Sequence, residues 1–183
     1  MRSSRFVASI SLAMVIACSA ISAIGQEKPA ARTPTFKLED LEGRLKDLGE
    51  LRGSVVLVSF GATWCTPCTS ELRALGEVLK EYTGKPVKFF WVSIESPEQI
   101  TNAGLRRYAK ERNLSFPVLR DSSQAVFLQF TPRVRLPMIV MLSKQGRVDL
   151  PVQFGMRSSP EAYKTDIRAR LNKLLTVQSE SDR

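Results

Sequence analysis

The sequence predicts an α/β domain: a mixed central sheet flanked by helices on both faces, with an N-terminal β-hairpin ahead of it. Three observations carry this. "SVVLVSF" is continuously apolar over residues 55–58 and rich in β-branched side chains, as a central strand buried on both faces requires. Leu72, Leu75, Leu79 and Tyr82 then recur at steps of three and four, which predicts a helix from Thr66 to Tyr82. Further strand and helix patterns alternate to the end of the chain, and such alternation implies a sheet with helices packed against it.

The elements follow in order. "TFKLEDLEGRLKDLGELRG" alternates apolar and polar side chains around Gly43, the mark of a short hairpin. After the Thr66–Tyr82 helix, which Gly76 weakens by about 1 kcal/mol relative to alanine, "PVKFFWVSI" reads as a second strand. Ser96-Pro97-Glu98-Gln99 is expected to start the next helix, with Ser96 as cap, Pro97 in the first turn and Gln99 as the reciprocal partner. "FPVLRD" is short and extended, "SSQAVFLQF" a brief helix and "PMIVML" a third strand. "SKQG" turns the chain into "RVDLPVQF", where Val148, Leu150, Val152 and Phe154 alternate as one half-covered face demands. Ser159 and Pro160 open the last helix, with Tyr163, Ile167, Leu171 and Leu174 inward.

The 183 residues suffice for one domain of ordinary size and a terminal extension. With 43% hydrophobic and 25% charged residues the composition is that of a globular chain, neither disordered nor polytopic. Residues 1–25 stand apart: Arg2 and Arg5 precede twenty residues without a charge, and a polar "QEKPAART" follows. This has the form of an export segment. Three readings of it stay open. Ala23-Ile24-Gly25 suits signal-peptide cleavage, Val15-Ile16-Ala17-Cys18 resembles a bacterial lipobox that would lipidate Cys18, and the apolar run is long enough for an uncleaved membrane anchor. Each puts the folded domain outside the cytoplasm, in the periplasm of a bacterium. Residues 26–34 are then a linker, 35–175 the domain and 176–183 a flexible tail.

The net charge of +9 includes Arg2 and Arg5, which leaves +7 for the remainder. Arg106, Arg107, Lys110 and Arg112 on one helical stretch, and Arg168, Arg170 and Lys173 on another, are interleaved with Glu111 and Asp166, as on solvated helix faces. No aromatic-basic pattern of a nucleic-acid module is present, so nucleic acid is not the expected partner.

With Cys18 in the targeting segment, one pair remains, Cys65 and Cys68, in "FGATWCTPCTSEL". A disulfide closing so short a loop removes little unfolded-state entropy and makes a poor staple. The pair is therefore expected to do chemistry. It sits where a buried strand gives way to a helix, at the end of a sheet where active sites gather.

From about Pro34 to Leu174, "FKLEDLEGRLKDLGELRGSVVLVSFGATWCTPC", "FPVLRD" and "RLPMIVMLSKQGRV" occur in the order of the TlpA/ResA group of exported thiol-disulfide oxidoreductases, and the chain resembles that thioredoxin-like family. The resemblance implies a thioredoxin-like fold, a Cys-x-x-Cys pair opening a helix, and a cis-proline facing it at Pro137. It implies reduction of disulfides in exported client proteins, with electrons from a membrane donor of DsbD type and clients such as apocytochrome c or copper-site cysteines. No cofactor or metal is called for.

The physics of the site agrees with that chemistry. A helix amino terminus carries unsatisfied N–H groups and partial positive charge, which favours a thiolate at Cys65 as the attacking sulfur. Cys68, one turn further in, would resolve the mixed disulfide. Glu71 shares the helix face of Cys68 and either handles protons there or merely serves the helix dipole. Cys65, Cys68, Glu71 and Pro137 form the expected catalytic set. Trp64, Thr66, Pro67 and Leu136 form the expected client-contacting set, although Pro67 also suits plain helix initiation and Trp64 plain packing. Arg133 and Arg135 either support the thiolate and steer acidic partners or are simply solvated.

Two positions depart from the family pattern. Ser59 stands where relatives commonly carry a buried acidic or amide group, which puts proton transfer in question, and Gly61 replaces a bulky aromatic, which is expected to widen access to the sulfurs. Other function classes remain as alternatives. Two thiolates can hold copper(I), which would make the chain a metal carrier, or the domain is a redox-inactive binding module. A peroxidase would need a threonine and cysteine context that is not found around Cys65.

Overall fold

The computed structural model describes residues 34–156 and 159–177. The export segment with Cys18, nearly all of the linker and the tail beyond Val177 lie outside the described residues. Among the described residues seven strands form one sheet: β1 (Lys37–Asp40), β2 (Leu45–Asp47), β3 (Val55–Gly61), β4 (Val87–Ser93), β5 (Val118–Arg120), β6 (Met138–Leu142) and β7 (Val148–Phe154). Three α-helices accompany them, α1 (Thr66–Lys80), α2 (Asn102–Glu111) and α3 (Pro160–Thr176). The strand order is β2-β1-β5-β4-β3-β6-β7. β4 runs parallel to β3 and β5, whereas β6 is antiparallel to β3 and β7, so the sheet is mixed as expected.

All seven residues of β3 are buried, which explains its unbroken apolar run. Its side chains alternate between two cores. Val55 and Leu57 join Phe89, Trp91, Ile139 and Met141 beneath Leu72 and Leu75 of α1, Leu105 and Tyr108 of α2, and Tyr163 and Ile167 of α3. Val56, Val58 and Phe60 face the other way, onto Phe90, Val92, Met138, Val140, Phe36 and Leu38. There the cover comes from two 3₁₀ helices, Leu48–Leu51 and Phe127–Gln129, through Leu48 and Phe127. Both faces thus carry helices, the α-helices on one and the 3₁₀ turns on the other.

The N-terminal hairpin closes through Asp40, whose Oδ1 accepts from the backbone N–H groups of Glu42 and Arg44, while Gly43 takes the left-handed φ of +79° that the turn needs. Helix α3 is fastened across α1 by Lys164 to Glu77, at 2.6 Å, and by a two-pronged Arg168 to Glu81 contact. That fastening fixes where Tyr163 points.

Two expectations need correction. Helix α2 begins at Asn102 with Thr101 as its cap, six residues after Ser96. Ser96 to Ile100 closes one isolated turn: Gln99 Oε1 accepts from the Ser96 N–H at 2.9 Å, and the Ile100 N–H donates to the Ser96 carbonyl. Beyond that turn Arg120 donates to the Ile100 carbonyl at 2.8 Å, to the Glu95 carbonyl at 2.9 Å and to Asn102 Oδ1 at 3.0 Å, so the Ile100 carbonyl serves a guanidinium and not a helix ladder. Thr101 Oγ1 accepts from the Gly104 N–H, and Thr101→Ala is expected to lower stability by about 1 kcal/mol in urea unfolding; an unchanged midpoint would show that this cap contributes nothing.

The second correction concerns β7. Val148, Val152 and Phe154 pack against the second core, but Leu150 is 73% exposed. Ile139 pairs with Gln153 and Met141 with Asp149, so β7 spends two more residues than β6 over that interval. Pro151, which has no N–H for the ladder, sits in this bulge, and the face alternation breaks beside it.

Candidate functional site

Cys65 and Cys68 are joined by a disulfide where β3 ends and α1 begins. Cys65 is the N-cap of α1: its backbone is extended, and its sulfur accepts from the Cys68 N–H at 3.3 Å. Thr66 and Pro67 follow in the first turn, where the missing proline N–H leaves no partner unsatisfied. Cys65 is 5% exposed and Cys68 fully buried, so an incoming sulfur reaches the first and not the second. This order of exposure suits attack at Cys65 and release through Cys68.

The loop ahead of the cysteines is braced from β4. Thr63 donates its N–H and its hydroxyl to the two oxygens of buried Glu95, both at 2.7 Å, and Ser93 donates to Glu95 at 3.1 Å. Beside Cys65 opens a groove of about 340 Å³ lined by Trp64, Cys65, Thr66, Pro67, Val134 and Leu136. Trp64 is 62% exposed, so its ring belongs to this surface and not to the core. The Leu136–Pro137 peptide bond is cis, as the resemblance implies, and Leu136 supplies the opposite wall. Val134, half-exposed, also lines it, a residue that no pattern in the sequence singles out. Arg133 and Arg135 are both exposed and lie outside the lining; Arg135 stacks its guanidinium over the Phe154 ring at 4.5 Å.

Glu71 lies one turn past Cys68, 1% exposed, and among the described residues it has no cationic partner. Ser59 Oγ donates to one carboxyl oxygen at 2.8 Å and Tyr163 OH to the other at 2.9 Å. Burial pushes its pKa up to about 7, against the two hydroxyls, which pull it down. A carboxyl group titrating near neutrality beside a buried sulfur is able to take a proton and return it. Tyr163, pushed well above the ordinary phenol range first by burial and then by Glu71, stays a donor. Ser59 is thus a hydrogen-bond donor to the Glu71 carboxyl group. Tyr163 lies 92 residues from Glu71 in sequence. Its only signal in the chain is its inward place on the last helix.

Gly61 does not open the site. A Cβ there would stand 2.6 Å from Trp91 Nε1 and 3.4 Å from Cys68 Sγ, so the indole of a β4 residue fills the space that an aromatic at 61 would need. Among the described residues no cluster of three or more metal-ligating side chains occurs.

Comparison with known proteins fits this geometry. The chain is 30% identical over 115 residues to the thiol-disulfide oxidoreductase ResA of a Bacillus cereus strain, covering 63% of this chain and 64% of that one. It is 36% identical over 90 residues to the thioredoxin-like protein YneN of Bacillus subtilis (strain 168), covering 49% and 52%. The matched region therefore spans between half and two thirds of these curated relatives. Solved structures share the fold, two of them as follows. A thiol:disulfide interchange protein of the thioredoxin family from Chlorobium tepidum TLS superposes with a TM-score of 0.62 at 24% identity, over 78% of this chain and 94% of that one. StoA from Bacillus subtilis does so with 0.58 at 20%, over 74% and 97%. Residues 29–150 match the model of the AhpC/TSA family, and the chain belongs to that family, with a thioredoxin-like fold.

Proposed function

We propose that the chain is an extracytoplasmic thiol-disulfide oxidoreductase that reduces disulfides of exported proteins. The observation that carries this is the Cys65–Cys68 pair at the amino terminus of α1, one sulfur reachable and one buried, with Glu71 titrating near pH 7 behind them. In this reading residues 1–25 direct export or anchor the chain, and residues 35–175 are the working domain.

The Cys65 thiolate attacks a client disulfide, forming a mixed disulfide and expelling one client sulfur as thiolate. Cys68 gives its proton to Glu71 and attacks the Cys65 sulfur, which closes the Cys65–Cys68 disulfide and releases the second client sulfur, to which the proton can return. Trp64, Thr66, Pro67 and Leu136 hold the client segment in the groove, with Pro137 fixing the wall opposite Cys65, and an extended backbone is the natural occupant. Return to the dithiol requires an outside donor, since an oxidising compartment keeps such a pair closed; a membrane donor of DsbD type meets that need. Cysteines of apocytochrome c or of copper sites are the clients the family resemblance suggests.

Equilibrating the chain with graded thiol-disulfide buffers tests the direction. A Cys65–Cys68 potential near about −270 mV is the expected result, and one near about −120 mV would make the protein an oxidant instead.

A further inference from the structure

Among the described residues Trp91 holds the single buried side-chain polar atom without a hydrogen-bond partner, its Nε1. The residue is wholly inaccessible to solvent. A buried N–H left unpaired is costly, and native structures keep few of them. Where it points is therefore informative.

Trp91 of β4 pairs with Ser59 of β3, and Gly61 is the next residue of β3 on that face. The point where a Gly61 Cβ would stand lies 2.6 Å from Trp91 Nε1 and 3.4 Å from Cys68 Sγ, so the indole nitrogen and the inner sulfur border one small space. The ring is held there. It stacks on Tyr108 with centroids 5.1 Å apart and planes 19° from parallel, Arg112 covers the tyrosine at 3.7 Å, and the Tyr108 hydroxyl bonds Thr69 of α1 at 3.2 Å.

In the disulfide, Cys68 Sγ is neutral and a weak acceptor. When an incoming thiolate attacks Cys65 Sγ, the S–S bond breaks and its electron pair leaves on Cys68 Sγ, which becomes a fully buried thiolate. The Cys68 N–H is engaged with Cys65, donating to its carbonyl at 3.0 Å and to its sulfur at 3.3 Å. We propose that the Trp91 Nε1–H is the hydrogen-bond donor to the Cys68 sulfur once the disulfide opens, so that an indole from β4 stabilises the charge on the resolving cysteine. Gly61 is what permits it, because any side chain at that position would separate the two atoms. The inference deepens the exchange reading above and rests on the pair opening, which a chemical reductant achieves whether or not protein clients are exchanged.

The test is made on the full chain with ¹⁵N-labelled tryptophan, oxidised and then reduced with a phosphine. The two tryptophans give two indole N–H resonances, assigned with Trp64→Phe. The Trp91 resonance is expected to move downfield on reduction, to follow the ionisation of Cys68 as pH rises, and to stay put in reduced Cys68→Ala. Trp91→Phe keeps a stacking ring and removes the N–H. It is expected to raise the pH midpoint of the Cys68 ¹³Cβ resonance by about one unit, a tenfold loss of thiolate at a given pH. Cys65 at the cap of α1, Glu71 on α1, Glu95 beside Thr63, Tyr108 and Arg112 on and beside α2, and Tyr163 on α3 are ionisable groups of the surrounding structure and are common to both proteins, so the difference reports the indole. A Trp91 resonance unmoved by reduction, or an unchanged Cys68 midpoint in a folded Trp91→Phe, overturns the proposal. If reduction moves the resonance while no client disulfide is reduced, the bond stands and the exchange reading falls.

Discussion

Glu71→Gln is expected to make the oxidised protein more stable than wild type at pH 8 and nearly equal to it at pH 4. Burial holds the Glu71 carboxyl up to about 7, against the 4.5 of an unperturbed glutamate. Between those values the folded state binds a proton that the unfolded chain has already lost, so wild-type stability falls as pH rises from about 4.5 to about 7 and levels off above. A shift of that size corresponds to about 3 kcal/mol. Glutamine is uncharged throughout and leaves that slope behind. Its carbonyl accepts from one hydroxyl and its amide donates to the other, since both Ser59 and Tyr163 are able to accept as well as donate. Urea unfolding of both proteins from pH 4 to pH 8.5 measures the difference. Asp121, also raised by burial, titrates in both and cancels. A difference that does not vary with pH would place the Glu71 titration outside this window. In turnover assays the same variant is expected to lose the ionisation near pH 7, because in the exchange proposed above Glu71 carries the proton between the two sulfurs' steps.

How much of this site can be read from the chain depends on sequence distance. The strand to cysteine to helix sequence over residues 55–80 is legible because each part obeys a local rule: an apolar β-branched run, a proline within the first turn, and a three-and-four period, which overshoots the helix end at Lys80 by two residues. Glu71 was legible as a neighbour of Cys68 for the same reason, three residues apart on one helix. What holds Glu71 was not. Ser59 and Tyr163 meet it from a different strand and from the last helix, and no periodicity encodes that α3 lies across α1. The misplaced start of α2 has a similar origin. The capping pattern at Ser96 to Gln99 does form its turn, but Arg120, distant in sequence, claims the carbonyl that would have continued it. In β7 the alternation of Leu150 was real in the sequence and lost in the sheet, because pairing with β6 absorbs the proline in a bulge.

Trp91 illustrates the same limit from the other side: within its strand it reads as core, which it is, and only the register with β3 shows that it occupies the space a side chain at residue 61 would take. That exchange of position predicts a measurable coupling. Gly61→Trp is expected to destabilise the protein by about 3 kcal/mol, the upper part of the range for overpacking, because the new Cβ meets Trp91 Nε1 at 2.6 Å and that ring is pinned against Tyr108. Trp91→Val alone is expected to cost about as much by leaving a cavity between β4 and α1. In the double variant the indole at 61 occupies the volume vacated at 91, so the combined loss should fall short of the two single losses by at least about 2 kcal/mol, as contacting sites that share one cavity do. Residues 61 and 91 are diagonal neighbours on one face of adjacent parallel strands, which makes the volumes interchangeable. Urea unfolding of the four proteins in the disulfide form completes the cycle. Additive losses would mean that the two positions fill separate spaces, and that Gly61 answers to Cys68 alone.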